Sequence, residues 1–117
     1  MTEPRERTGE HPLYALEKFS SAVRALATGP GDVRSRLLGA YLIFHTVRPE
    51  DLPSSFRRDF QWIVRMLTRR EPRWKDEGRL QATLARMQNR TGARIARKIV
   101  DIEYALESYC RRLEPRR

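Results

Sequence analysis

Apolar residues recur every three or four positions through most of this sequence, and this spacing is what most constrains the fold. Proline or glycine interrupts it at Gly29-Pro30-Gly31, at Pro49 and at Pro72, so each apolar stretch ends before the next begins. A stripe with this period lies along one side of an α-helix and must be buried against other helices. The pattern therefore predicts an all-α fold, a single-domain antiparallel helical bundle of four to five helices.

The breaks define the expected helix boundaries. A first helix is predicted from Pro12 to about Thr28, a second after an Asp32 cap to about Val47, and a third from Ser54 or Ser55 to Arg70. The second helix is apolar on more than one face, which places it at the centre of the bundle, and Gly39 is expected to permit a close helix contact there. Residues 1–11 are predicted to be a disordered tail, residues 12–113 the bundle domain and residues 114–117 a frayed C-terminus.

The segment 79–113 leaves two alternatives open. Its apolar positions keep one phase throughout, as in a single unbroken helix about 50 Å long. Against this, Asn89 can cap a new helix, and Gly92 in the join weakens continuity. We favour a short fourth helix that ends at about Met87 and a fifth that begins at about Arg90.

Positive charge is concentrated in the middle of the chain. The net charge is +9, and residues 54–98 hold all of this excess, whereas the regions on either side are balanced. A charge that is segregated in sequence can become a charged face in space, and such a face attracts anionic partners. The solvated exterior of an arginine-rich bundle looks the same in sequence, so both interpretations stay open.

Little in the sequence indicates catalysis. The histidines, His11 and His45, have no Cys, His or acidic partner at metal-ligand spacing. We therefore predict no enzyme activity, no metal and no cofactor. The single cysteine, Cys110, fits a reducing environment, and the longest apolar run is too short to span a membrane. The expected location is cytoplasmic.

Three parts of the basic segment contain the candidate binding residues. On the third helix, an outward Trp62 is expected beside arginines that lie opposite the apolar stripe. The loop after that helix carries Trp74 between two cations. A second arginine stripe follows, and it stays aligned only if the helix is continuous there; its members are Arg79, Arg86, Arg90, Arg94 and Arg97. The predicted binding residues are Arg58, Trp62, Arg65, Arg69, Arg73, Trp74, Arg79, Arg86 and Arg90.

These residues support two functional hypotheses of different classes. The first is a non-catalytic helical protein that binds another protein or other anionic macromolecule through the Trp/Arg face, because Trp and Arg dominate binding hot spots. The second is a nucleic-acid-binding protein that uses the basic segment 54–98. A homodimer is a third possibility. The alternative for Trp62 is structural: it covers a groove against another helix while an arginine stacks on it.

Four runs of the sequence resemble those of a family of small uncharacterised bacterial proteins that are all-helical and have no assigned function. The runs are Glu50-Asp51-Leu52-Pro53, Leu67-Thr68, Glu77-Gly78-Arg79-Leu80-Gln81-Ala82-Thr83 and Arg94-Ile95-Ala96-Arg97-Lys98-Ile99. The similarity spans about residues 12 to 110. Members of that family have an acidic helix start where this chain has Asn89-Arg90-Thr91, so the resemblance supports a helix break but departs in charge. The resemblance implies a helical fold, and because the family brings no activity, cofactor or partner, it leaves the function open.

Overall fold

The computed structural model describes residues 9–113, and within them it shows five α-helices and no strand. Its elements are α1 (Pro12–Thr28), α2 (Val33–Phe44), a 3-10 turn (Pro49–Asp51), α3 (Ser54–Leu67), α4 (Arg79–Ala85) and α5 (Asn89–Leu113). The predicted all-α helical bundle is confirmed. Residues 1–8 of the predicted tail and the predicted frayed terminus, 114–117, lie outside the described residues. At the end of the described part of the tail, the amide of His11 donates to the carbonyl of Asp51 at 2.8 Å.

The first two helices form an antiparallel pair around aromatic side chains. Gly31 has a φ of +82°, a left-handed conformation that glycine adopts at no steric cost, and it lets the chain reverse after α1. The Asp32 carboxylate then caps α2 by accepting the amides of Arg34 and Ser35 at 3.0 and 3.2 Å, which lowers the pKa of Asp32. The Asp32 cap predicted from the sequence is therefore present.

Three phenylalanines from three helices meet in the core. The rings of Phe19 on α1 and Phe44 on α2 stack with their centroids 5.0 Å apart, and Phe60 of α3 meets both rings edge-on. Ala15 and Ala22 flank Phe19 on the buried side of α1, so this face is made of small residues around one large ring. The three- and four-residue spacing on the first helix predicts a buried stripe of Leu13, Leu16, Phe19, Ser20, Val23 and Leu26. Leu13 is instead 70% exposed, because the buried face is rotated towards Ala15 and Ala22.

The chain from 79 to 113 forms two helices rather than one. The seven-residue α4 ends at Ala85, and α5 runs for 25 residues from Asn89, about 37 Å. The break predicted in this segment is therefore present. Gly92 lies close to α2 just after the break: a Cβ atom there would stand 2.8 Å from Val33 Cγ1. The close helix contact expected at Gly39 is wrong, because a Cβ atom at Gly39 would meet nothing within 4 Å.

Candidate anion-binding groove

Helices α3 and α5 run antiparallel, and an open groove follows the line between them. Two contacts define their register: Phe56 and Tyr109 pack edge to face with ring centroids 6.1 Å apart, and Lys98 Nζ lies 3.6 Å from Asp59 Oδ1. The groove encloses about 510 Å3. We call it the basic groove; it is lined by Arg58, Asp59, Trp62 and Arg65 of α3 and by Arg94, Arg97, Lys98 and Asp101 of α5. The lining therefore contains five cations, two carboxylates and one indole, and each wall carries both cations and one carboxylate.

Trp62 occupies the inner wall of the basic groove. Its side chain is half-buried and packs against the hydrophobic core, and the guanidinium carbon of Arg94 lies 5.8 Å from its ring centroid. The expectation that Trp62 points outward, away from the core, is therefore corrected. The structure instead has the alternative arrangement, in which the indole covers a groove against another helix and an arginine lies over it.

Most of the groove's cations are not neutralised by nearby acids. Asp59 pairs with Lys98, but among the described residues Arg58, Arg65 and Arg97 have no carboxylate oxygen within 4.0 Å. Two of the other three acids of the basic segment are engaged outside the groove: Glu71 binds Arg79 and Glu77 binds Arg73. Unpaired guanidinium groups on both walls make the groove a region of positive potential.

The loop between α3 and α4 is stabilised by contacts among its own residues. The backbone amide and guanidinium of Arg73 both donate to the buried carboxylate of Glu77, and the Arg73 guanidinium carbon also lies 4.6 Å from the ring centroid of Trp74. The hydrogen bonds from Arg73 lower the pKa of Glu77, and the same contact raises the pKa of Arg73. The Arg73 guanidinium therefore binds within the loop, whereas Trp74 beside it is 58% exposed.

The remaining predicted residues separate into two groups. Arg79 is paired, because its guanidinium donates to Glu71 at 2.9 Å and to the Thr68 carbonyl at 3.4 Å. Arg69 and Arg86 come together at the far end of α3, in a polar recess of about 290 Å3. Arg90 is exposed in the first turn of α5. The break before α5 thus divides the second predicted stripe, since α4 carries Arg79 away from the groove.

Several residues of this surface are absent from the predicted binding set. Arg97 and Lys98 line the basic groove from α5, and Arg70, Thr83 and Thr91 line the recess that holds Arg69 and Arg86. The periodicity of α5 does place Arg97 with Arg94 on one side of that helix. Periodicity does not give the rotation of α5 relative to α3. That rotation decides whether the Arg94 and Arg97 side of α5 faces Trp62.

No family model, curated protein or solved structure matches this chain. The resemblance to a bacterial family therefore stays a prediction. Within residues 9–113, no helix is long and apolar enough to cross a membrane, and no three His, Cys, Asp or Glu side chains are grouped so that they could hold a metal ion.

Proposed function

We propose that this chain is a non-catalytic binding module that docks an anionic macromolecule in the basic groove. The observation that carries this proposal is the convergence of cations from two separate parts of the sequence. Arg58 and Arg65 on α3 face Arg94 and Arg97 on α5, more than twenty-five positions away along the chain, with Trp62 between them. Scattered solvating charges have no need to converge in this way.

The electrostatics of the groove support an anionic partner. Like charges held on two facing helices repel one another, and an anion placed between them relieves that repulsion while it gains attraction from both walls. The Trp62 and Arg94 pair adds a flat, semi-rigid surface of the kind that anchors binding interfaces.

The single cysteine is buried on α5, which is consistent with the proposed cytoplasmic location.

The proposal is tested by removing groove charge without disturbing the fold. Arg58, Arg65 and Arg97 suit this purpose because each is exposed or half-exposed on the groove rim and has no carboxylate within 4.0 Å among the described residues. We expect the triple variant R58Q/R65Q/R97Q to bind labelled polyanions about tenfold more weakly at low salt, at about 0.5 kcal/mol for each exposed ion pair. The polyanions are poly-L-glutamate, a homopolymer RNA and a DNA duplex, followed by fluorescence anisotropy.

A matched control removes the same charge elsewhere. The variant R24Q/R111Q/R112Q loses three arginines from exposed positions on α1 and at the end of α5, and it should bind almost as well as the native chain. Equal loss in the two triple variants would show that only net charge matters, which contradicts a groove. Failure of the native chain to bind any of the three polyanions at low salt would also contradict the proposal.

A further inference from the structure

The recess at the far end of α3 is a second concentration of positive charge. We call it the corner pocket; it lies where α3, α4 and the start of α5 meet, and its lining is Arg69, Arg70, Thr83, Arg86, Met87, Gln88 and Thr91. All of these side chains except Met87 are polar. No carboxylate lines the pocket, and among the described residues Arg69, Arg70 and Arg86 have no acidic oxygen within 4.0 Å.

Thr83 gives the corner pocket a buried hydrogen-bond donor. The residue is only 2% exposed, and its hydroxyl oxygen accepts the backbone amide of Arg70 at 2.9 Å. Because the oxygen is used as an acceptor there, the hydroxyl hydrogen remains to be donated to a second group. An anion in the pocket offers such an acceptor, and three guanidinium groups that cannot lose their protons surround the same space.

The corner pocket and the basic groove lie one after the other along the same pair of helices. Arg65 lines the groove from the last turn of α3, and Arg69 lines the pocket from the loop just after α3 ends at Leu67. On the opposite wall, Arg94 of the groove and Thr91 of the pocket are three residues apart on α5, about 4.5 Å along its axis. A chain that carries regularly spaced anionic groups can therefore occupy both sites at once.

The composition of this surface favours a nucleic acid over an acidic protein. The centre of a protein interface is mainly apolar and is depleted of Lys, Asp and Glu, although single arginines are common there. Here the basic groove has five cations, two acids and one indole, and the corner pocket has a single apolar side chain. A positively charged groove with an aromatic or arginine plane on which a base can stack is the arrangement by which proteins hold single strands.

We infer that the corner pocket holds a backbone phosphate of a single-stranded nucleic acid that continues along the basic groove, where the Arg94 and Trp62 pair stacks against a base. This inference rests on the proposed function of the groove and names its partner. Arg69, Arg70 and Arg86 bind the phosphate oxygens, and the Thr83 hydroxyl donates to one of them. Bidentate contact between guanidinium and phosphate is among the strongest hydrogen-bonding arrangements in proteins.

The test measures how binding depends on salt. A labelled oligouridine of about twelve nucleotides, within the range of known single-strand sites, is titrated with the full chain at several salt concentrations. The slope of log K against log salt is negative, and its magnitude falls by about 0.7 for each single-strand phosphate whose contact is lost. R70Q/R86Q removes two of the three cations at one phosphate, so it should reduce that magnitude by up to about 0.7. The control R111Q/R112Q removes the same charge from the end of α5 and should leave the slope unchanged.

Two further measurements guard against an effect on folding. The single variant R70Q removes a side chain with no carboxylate partner among the described residues and keeps the amide that binds Thr83. It should reduce the magnitude of the slope by less than R70Q/R86Q does, without changing thermal unfolding. Inorganic phosphate at millimolar concentration should shift the NMR amide signal of Arg70, and it should do so less in R86Q. An unchanged slope in R70Q/R86Q, or an equal fall in the control, would overturn the inference.

The same titrations distinguish this inference from the proposal on which it rests. If poly-L-glutamate or a DNA duplex binds as tightly as oligouridine at equal salt, the single-stranded nucleic acid is wrong and the anion-binding groove stands. If none of the polyanions binds, both are wrong. Tighter binding of oligouridine, with a slope that depends on Arg70 and Arg86, supports both.

Discussion

Two glycine-to-alanine substitutions should change the stability of this bundle in opposite directions. Gly39 lies within α2 and Gly92 within α5, so alanine at either position removes the backbone freedom that glycine has in the unfolded chain. The gain from helix propensity alone is about 1 kcal/mol at each site. The two glycines differ in the atoms that surround them. When the stabilities of the two alanine variants are compared with each other, the propensity gain therefore largely cancels and the effect of packing remains.

The structure gives the expected size of the difference. A methyl group at Gly39 meets nothing within 4 Å, so G39A should keep its full gain, about 0.5 to 1 kcal/mol. A methyl group at Gly92 would stand 2.8 Å from Val33 Cγ1, which is too close unless Val33 or the helix shifts, and 3.4 Å from Leu37 Cδ1. Overpacking of this kind costs about 1 to 3 kcal/mol, which offsets or exceeds the gain.

Equilibrium urea unfolding followed by circular dichroism measures both effects on one scale. With a common m-value of about 1 to 3 kcal/mol/M, we expect the unfolding midpoint to rise in G39A and to stay level or fall in G92A. The difference between the two variants should be about 1 to 3 kcal/mol in the free energy of unfolding. If G92A is as stable as G39A, the close approach of α5 to α2 at Gly92 is refuted.

Two further substitutions test the groove wall and the loop beside it. We expect W62A to lose about 2 kcal/mol of unfolding free energy, because a half-buried indole that packs against the core is removed, whereas W62F should lose less than about 1 kcal/mol. Both are measured by urea unfolding, and equal stability of W62A and the native chain would contradict the structural role of Trp62. Arg73 holds the pKa of Glu77 below its usual range in the folded chain, so this carboxylate stabilises the fold at neutral pH and loses that effect as the pH falls below about 4.3. The stability of E77Q should therefore lie below that of the native chain at neutral pH and approach it on acidification, and a gap that stays constant to about pH 3 would count against the Arg73 and Glu77 contact.

The parts of the fold that depend on short-range chemistry could be predicted from the sequence. Asp32 caps α2 because its side chain reaches amides only two and three residues ahead, and no tertiary information is needed. The break between α4 and α5 was likewise indicated by residues next to it, Asn89 and Gly92. Both features follow from local conformational preference, which a sequence states directly.

The rotation of each helix about its own axis could not be predicted in the same way. On α1, leucines at helical spacing favoured a stripe that included Leu13, but the structure buries Ala15 and Ala22 around Phe19. Small residues permit the closest helix approach, and this outweighed the larger transfer energy of an exposed leucine. The close contact predicted at Gly39 is wrong for the same reason, since only the packed neighbours decide where a missing side chain matters.

The helix break has a consequence for charge as well as for shape. In one unbroken helix, Arg86, Arg90, Arg94 and Arg97 would share a straight outer stripe, open to solvent along its length. Because the chain turns between Ala85 and Asn89, α4 lies against the end of α3, and Arg86 faces Arg69 and Arg70 instead of Arg90. All three of these side chains remain exposed, so solvent screens most of their mutual repulsion. The turn therefore gathers cations that a straight helix would keep apart into the corner pocket, where we infer that a phosphate binds.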